Sequence, residues 1–275
     1  GGGGGDPHRR SGPGGERLLN RHHGGGVGGG AAAFPRVSRA PAHLSLASGV
    51  ANIPPFGMAQ HFVLRLEGVG EAGEANALVM GVAAGLPKWA EDGVDPAAYP
   101  RELMRNAAQA MASGEGVRSL SSVVDAAQVA VAVPGSATAG LLEMDSAGGL
   151  RGFNIGDSGY CLVRDGAVVY RTARQMHSPR SPYQLAHRRF QSGTDTASDG
   201  TEVALATIPG DVVVLASDGL FYNVRSEDIG RVVLQAGRGQ RGAARARAIA
   251  TELASLASAN STDRDFVSPW AAEDR

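Results

Sequence analysis

The stretch Tyr160–Arg171, YCLVRDGAVVYR, constrains the fold more than any other part of the chain. Leu162-Val163 and Val168-Val169 flank Asp165-Gly166. Asp-Gly suits a tight type I′ turn, because both of its central residues take positive φ. The spacing predicts an antiparallel hairpin. Two strand-like runs precede it, SATAGLLEMD and GLRGFNIG, after Pro134. A stretch of Pro, Ser, Gln and His follows, Ser178–Ser198, and reads as loop. DVVVLAS, Asp211–Ser217, is then an apolar strand running into Asp218-Gly219. Nearer the N-terminus, HFVLRL (His61–Leu66) and ALVMGVA (Ala77–Ala83) are apolar runs of strand length.

Helical spacing appears between and after these runs. In DPAAYPRELMRNAAQAMAS, Pro100 suits a first turn, and Leu103, Met104, Ala107, Ala108 and Met111 share one face. A second helix is expected over Leu120–Val131, with Val123, Val124, Ala127 and Val131 as its stripe. Ser226 opens another, since Glu227 and Asp228 place acids in a first turn, where the helix dipole favours them. A final helix is expected over Ala243–Ala257. Strands in two batches, with long helices after each, predict α+β layers rather than alternating βαβ units.

Composition narrows the function classes. The chain has 275 residues, 43% of them hydrophobic, enough for a core. A net charge of -1, with scattered arginines and Lys88 as the one lysine, argues against a nucleic-acid partner. The single cysteine, Cys161, excludes an internal disulfide and a cysteine-ligated zinc. No apolar run reaches the roughly 18 residues of a membrane span. Residues 1–52 are rich in Gly, Ala and Arg and read as a low-complexity, disordered leader. Arg9, Arg10, Arg17, Arg21, Arg36 and Arg39 among few acids would suit a transit peptide to chloroplast or mitochondrion, with a cytoplasmic protein as the alternative. GGGVGGG is no dinucleotide fingerprint, because no strand precedes it and no helix follows. The folded domain is expected over residues 56–275.

Gly156-Asp157-Ser158-Gly159 carries the chemistry question. Around a nucleophilic serine, as in trypsin-like proteases, it would need a histidine base and a buried aspartate on an all-β fold. This chain is rich in helix, and its histidines lie in other contexts: His61 in a strand, His177 and His187 in the loop after the hairpin. Alternatively, Asp157 and Asp218 each follow a strand, and two such carboxylates can share a hard cation such as Mg²⁺ or Mn²⁺. Both could equally cap turns.

GVDPAAYPRELMRNA, GSATAGLLEMD, NIGDSGYCLVRDGAVVYR, SPYQLA, GDVVVLASDGLFYN and SPWA occur in that order. Together they resemble the metal-dependent (PPM, type-2C) protein serine/threonine phosphatases, from about Gly57 to Ala271. The nearest pattern is that of an organelle-associated branch with GVDP…RELM after its GVADGVGGW motif. The resemblance implies a central β-sandwich flanked by helices in α-β-β-α layers. It implies two Mg²⁺ or Mn²⁺ ions and hydrolysis of phosphoserine or phosphothreonine proteins by a metal-activated water.

Residue by residue, the family's GEDAFFV matches GMAQHFV, which places Met58 and Ala59 at its acidic pair. GVADG matches GVAAG, so the metal-bridging aspartate is Ala84, while Gly85 is retained. Asp157 falls at an accessory metal position, with Gly156 and Ser158 kept around it. Asp218 falls at a principal ligand, followed by Gly219. The second aspartate of DGLFDN is Tyr222. The family's GGK.DD segment should follow SPWA, but the chain stops at Arg275. The expected molecule is thus a PPM homologue with impaired hydrolysis, acting on a phosphoprotein substrate. The alternative is a pseudophosphatase that binds or regulates a protein partner. Glu71, Glu74, Glu91, Asp92 and Asp95 are conceivable substitute ligands. His177 is expected to organise its loop, Cys161 to fill core, Trp89 to anchor packing, and Arg101 and Arg105 to line a solvated helix face.

Overall fold

Two main antiparallel sheets, each with its own helical cover, absorb the apolar patterning, beside a separate two-stranded pair. The computed structural model describes residues 1, 48, 50, 59–66, 77–113, 119–187, 189 and 193–273. All of these except Gly1 belong to a unit that runs from Pro41 to Arg275. Nearly all of the expected leader, and Met58, lie outside the described residues.

Strand β1 (Ala59–Leu66) pairs antiparallel with β2 (Ala77–Gly85). After a 3-10 turn at Pro87–Asp92 come helices α1 (Ala98–Ala112) and α2 (Leu120–Val129). Strands β3 (Ser136–Asp145), β4 (Gly149–Ile155), β5 (Gly159–Arg164) and β6 (Ala167–Arg171) follow. The expected loop instead contains β7 (Met176–Ser178), β8 (Ser181–Pro182) and β9 (Leu185–Ala186). Its turn-forming residues hide these short pairings: β7 pairs with β8, and β9 extends the flank of β3 and bridges to Asp195. Strands β10 (Thr201–Ala206) and β11 (Val212–Ala216) precede α3 (Asp218–Phe221), α4 (Ser226–Gln235), α5 (Gly242–Thr262) and α6 (Pro269–Glu273).

The larger sheet runs β1-β2-β3-β4-β10, with β9 attached to β3, and the smaller runs β11-β5-β6. The strand period of two sends alternate residues to opposite faces. Leu141, Phe153 and Ile155 face α1 and α2, where they meet Leu103, Met104, Val123 and Val124. Leu142, Leu150 and Tyr160 fill the space between the sheets. Cys161 and Val163 point out of the sandwich against Ile229, Val233, Ile249 and Leu253 of α4 and α5. The layers are therefore α-β-β-α, and the α+β reading holds.

Local expectations mostly survive at shifted boundaries. The hairpin turn has φ 50° at Asp165 and 79° at Gly166, the positive pair that type I′ requires. Pro100 sits buried at the third position of α1, and Ala108 and Met111 are only half-buried at the rim of its face. α2 stops at Val129, with Val131 buried just beyond it. α5 starts at Gly242 and continues past Ala257 to Thr262, where polar residues extend the helix beyond its apolar stripe.

One polar tie crosses between strands of the smaller sheet. Arg164 Nε and Nη2 donate to the two Asp211 carboxylate oxygens at 2.9 and 2.8 Å, and the Ile208 amide donates to Oδ2 at 2.9 Å. The Asp211 side chain is 3% exposed, so three donors lose their acceptor if it is removed. Asp211→Ala is expected to cost about 1–3 kcal/mol in urea unfolding. A loss under a few tenths of a kcal/mol would show that water replaces the pair without penalty.

Candidate functional site

The GDSG turn is built by the end of β4. The chain leaves Ile155 and turns through Gly156 at φ 82°. Gln175 brackets that turn: the Gly156 amide donates to its Oε1 at 3.2 Å, and its own amide donates to the Gly156 carbonyl at 2.9 Å. Asp157 is thereby held at the open end of the larger sheet, 8% exposed. Ser158 is 1% exposed, and its hydroxyl shares a 2.7 Å hydrogen bond with the Thr138 hydroxyl. Its partner is a threonine rather than a histidine base, and the nucleophile reading has no support in this arrangement.

Asp218 arrives from the other sheet. β11 ends at Ala216, and Asp218 opens the single turn of α3, which closes when the Tyr222 amide donates to the Asp218 carbonyl at 2.8 Å. That turn folds Tyr222 back over the end of β4. Its hydroxyl donates to Asp157 Oδ2 at 2.8 Å. The Arg174 guanidinium lies 5.2 Å from the Tyr222 ring centre, and the Trp270 ring packs on Tyr222 at 6.3 Å. Arg174, Met176, Ser178, Pro179 and Trp270 line a cleft of about 330 Å³ next to this cluster.

Burial and mutual repulsion dominate the electrostatics. Burial, then the charge of Asp157, pushes the Asp218 carboxyl up to about 6, against backbone N–H donors at Gly219 and Asp218 that favour the anion. Asp157 is also raised, chiefly by burial. Hydrogen bonds from Tyr222 and its own backbone and the charge of Arg174 pull the other way. The Tyr222 phenol is raised by burial and by the neighbouring Asp157.

Ala59 and Ala84 are direct cross-strand partners in the β1–β2 pair. Two methyl groups thus face each other where the resemblance would place two carboxylates, and neither offers a donor atom. Gly85 has its own structural reason to be glycine, because a Cβ there would collide with the Pro96 carbonyl oxygen. Gly219 has no such demand, since an added Cβ would meet only Ser217 Oγ at 3.4 Å.

The substitute ligands do not assemble either. Asp95 Oδ1 accepts from the Ala97 amide at 2.9 Å as a turn cap, and Glu91 and Asp92 are exposed. Glu71 and Glu74 lie outside the described residues. Among the described residues no group of three or more His, Cys, Asp or Glu side chains could hold a metal ion. Mg²⁺ and Mn²⁺ need oxygen donors, and among the described residues the carried-over positions offer two carboxylates, one already hydrogen-bonded to a phenol. The described residues do not fit a two-ion centre.

The other candidates are structural. His177 Nε2 sits 3.0 Å from both Asp195 oxygens and its ring stacks on Tyr183 at 4.2 Å, which fixes the loop. Arg101 pairs with Asp95 at 3.6 Å and Arg105 with Glu102 at 2.9 Å on an exposed face. Trp89, expected as a packing anchor, is half-buried and donates from Nε1 to Ser136 Oγ at 2.7 Å. Arg174, Gln175 and the Tyr222 hydroxyl were not anticipated. Arg174 and Gln175 stand in irregular chain after β6, where no local period marks them.

No family model matches the chain. Similar proteins do. Probable protein phosphatase 2C 26 of Arabidopsis thaliana is 36% identical over 197 residues, covering 72% of this chain and 63% of that protein. The protein phosphatase PTC7 homolog fig of Drosophila grimshawi is 33% identical over 205 residues, covering 70% and 66%. Against three Arabidopsis relatives, this chain spans 63%, 40% and 45% of their lengths. Among solved structures, the photosystem II phosphatase PBCP superposes with a TM-score of 0.66 at 28% identity, over 79% of this chain and 86% of that one. Similar in fold alone, the S. agalactiae serine/threonine phosphatase gives a TM-score of 0.50 at 13% identity over 78% of this chain and 92% of that one. With the layered sandwich, the ordered motifs and these relatives in agreement, the chain belongs to the PPM (protein phosphatase 2C) family of serine/threonine phosphatases.

Proposed function

We propose that this chain acts on phosphoserine and phosphothreonine proteins as a PPM-type phosphatase homologue whose metal-dependent hydrolysis is impaired. The observation that carries the impairment is the Ala59–Ala84 cross-strand pair. A phosphate ester dianion brought to Asp157 and Asp218 meets like charge, and two unit charges at 4 Å repel by roughly 4 kcal/mol at an effective dielectric of 20. Relatives named as protein phosphatases support a phosphoprotein substrate. The likeness to a photosystem II phosphatase and the arginine-rich leader support an organelle-associated branch and a chloroplast or mitochondrial location.

A second reading is favoured by one specific feature, the bond from Tyr222 to Asp157. A site already closed on itself suits a pseudophosphatase that binds or regulates a protein partner without turnover. The test is Mn²⁺-titrated hydrolysis of p-nitrophenyl phosphate by the unmodified chain and by the Ala59→Asp, Ala84→Asp, Tyr222→Asp triple variant. The triple variant is expected to exceed the unmodified chain by about 100-fold or more in kcat/KM. Equal, metal-dependent turnover by both would refute the impairment.

A further inference from the structure

A buried carboxylate needs compensation, from a cation, from hydrogen-bond donors, or from both. In this chain the compensation at Asp157 is built from side chains. The Tyr222 hydroxyl donates to Oδ2 at 2.8 Å, and two neighbours pack on its ring. Arg174 stands 5.2 Å over the ring centre and carries a positive charge that acts on Asp157. Trp270 packs on the same ring at 6.3 Å. α3 is a single turn whose C-cap is Tyr222, so the backbone that positions Asp218 also delivers the phenol to Asp157.

We propose that Tyr222 and Arg174 are an internal replacement for the metal at Asp157. They hold the end of the sandwich in its folded geometry with no divalent ion. The inference rests on the family reading of Asp157 and Tyr222, and it goes beyond impaired hydrolysis to a property of the fold. A metal-bound site loosens when a chelator removes its ion, whereas this one keeps its neutralising groups on the chain.

Thermal unfolding of the unmodified chain, Asp157→Asn, Tyr222→Phe and Tyr222→Asp, each in chelator and in rising MnCl₂, tests this. The unmodified chain and Asp157→Asn are expected to respond to Mn²⁺ identically, so that no part of any response depends on Asp157. Tyr222→Phe strips the carboxylate of its donor, and its Tm in chelator should fall by about 3–8 °C. Tyr222→Asp frees Asp157 and adds a third carboxylate, and should gain about 5–10 °C once Mn²⁺ exceeds its Kd a hundredfold. The proposal is overturned by a Mn²⁺-induced rise in the unmodified chain that Asp157→Asn abolishes. It is equally overturned if Tyr222→Phe leaves Tm unchanged, or if Tyr222→Asp is as indifferent to Mn²⁺ as its parent. Should Asp157→Asn not fold, the Tyr222→Phe and Tyr222→Asp arms still decide the proposal. Stabilisation by Mn²⁺ through Asp157 without turnover would sink this inference and leave the proposed impairment standing. Turnover without any such stabilisation would do the reverse.

Discussion

Alanine in place of Gly156 is expected to lower the unfolding free energy by about 3–5 kcal/mol, the largest single-residue effect at the site. Two costs combine. At φ 82° a residue with a Cβ is in a left-handed conformation that costs roughly 1–2 kcal/mol. The added Cβ would also stand 2.5 Å from Thr138 Cγ2 and 2.5 Å from the Tyr183 carbonyl oxygen. The carbonyl cannot move alone, because the Tyr183 amide is bonded to the Gln175 carbonyl at 2.9 Å, and Gln175 is bonded to Gly156 itself. Relief therefore means unseating the turn that carries Asp157. Urea denaturation of Gly156→Ala beside the unmodified chain measures the loss. A value below about 1 kcal/mol would mean that the turn relaxes locally, and that the bracket by Gln175 is weaker than its geometry implies.

The second large effect concerns pH. Asp218 is pushed from 3.8 to about 6 in the folded chain, first by burial and then by Asp157. Asp157 is shifted in the same direction, so the pair acts together. A folded-state pKa above the unfolded value means that the native state holds the proton more tightly. Its contribution to stability is complete below about pH 4 and lost as pH climbs through about 6. In chelator, the unmodified chain should therefore lose about 2–3 kcal/mol from this group between those limits. Asp218→Asn should remove that dependence, so that its stability relative to its parent rises by about 2 kcal/mol between pH 4.5 and pH 7.5. Urea unfolding of both chains at the two pH values reads this out. A relative stability that falls between those pH values would mean that the anion makes favourable contacts outweighing its burial.

How much of this was legible in the residues depends on the range over which each feature is decided. The Asp165-Gly166 turn was readable because two adjacent residues determine its φ values. The stripe on α1 was readable because Leu103, Met104 and Ala107 sit within two helical turns. The short strands β7, β8 and β9 were not, since two or three residues carry no period and exist only through partners elsewhere. The motif match names Trp89 as a packing anchor, but it does not tell that the half-buried indole also donates its N–H to Ser136 at the start of β3.

For the site, the ordered motifs named every carried-over position, and their chemistry already showed that Ala59, Ala84 and Tyr222 lack carboxylates. By its place in the motif Tyr222 is simply a missing ligand. The fold gives it a different part, because α3 turns its hydroxyl onto Asp157. Arg174 reaches the same ring from irregular chain beyond β6. Sequence alone, then, determined the layers, the hairpin and the family, all of which follow from local periodicity and from motif order. Tertiary structure alone decided that Ala59 faces Ala84 and that Asp157, Tyr222 and Arg174 close on one another. Strand register and the meeting of two sheets set those distances, and residues far apart in the chain acquire them only when both sheets have packed.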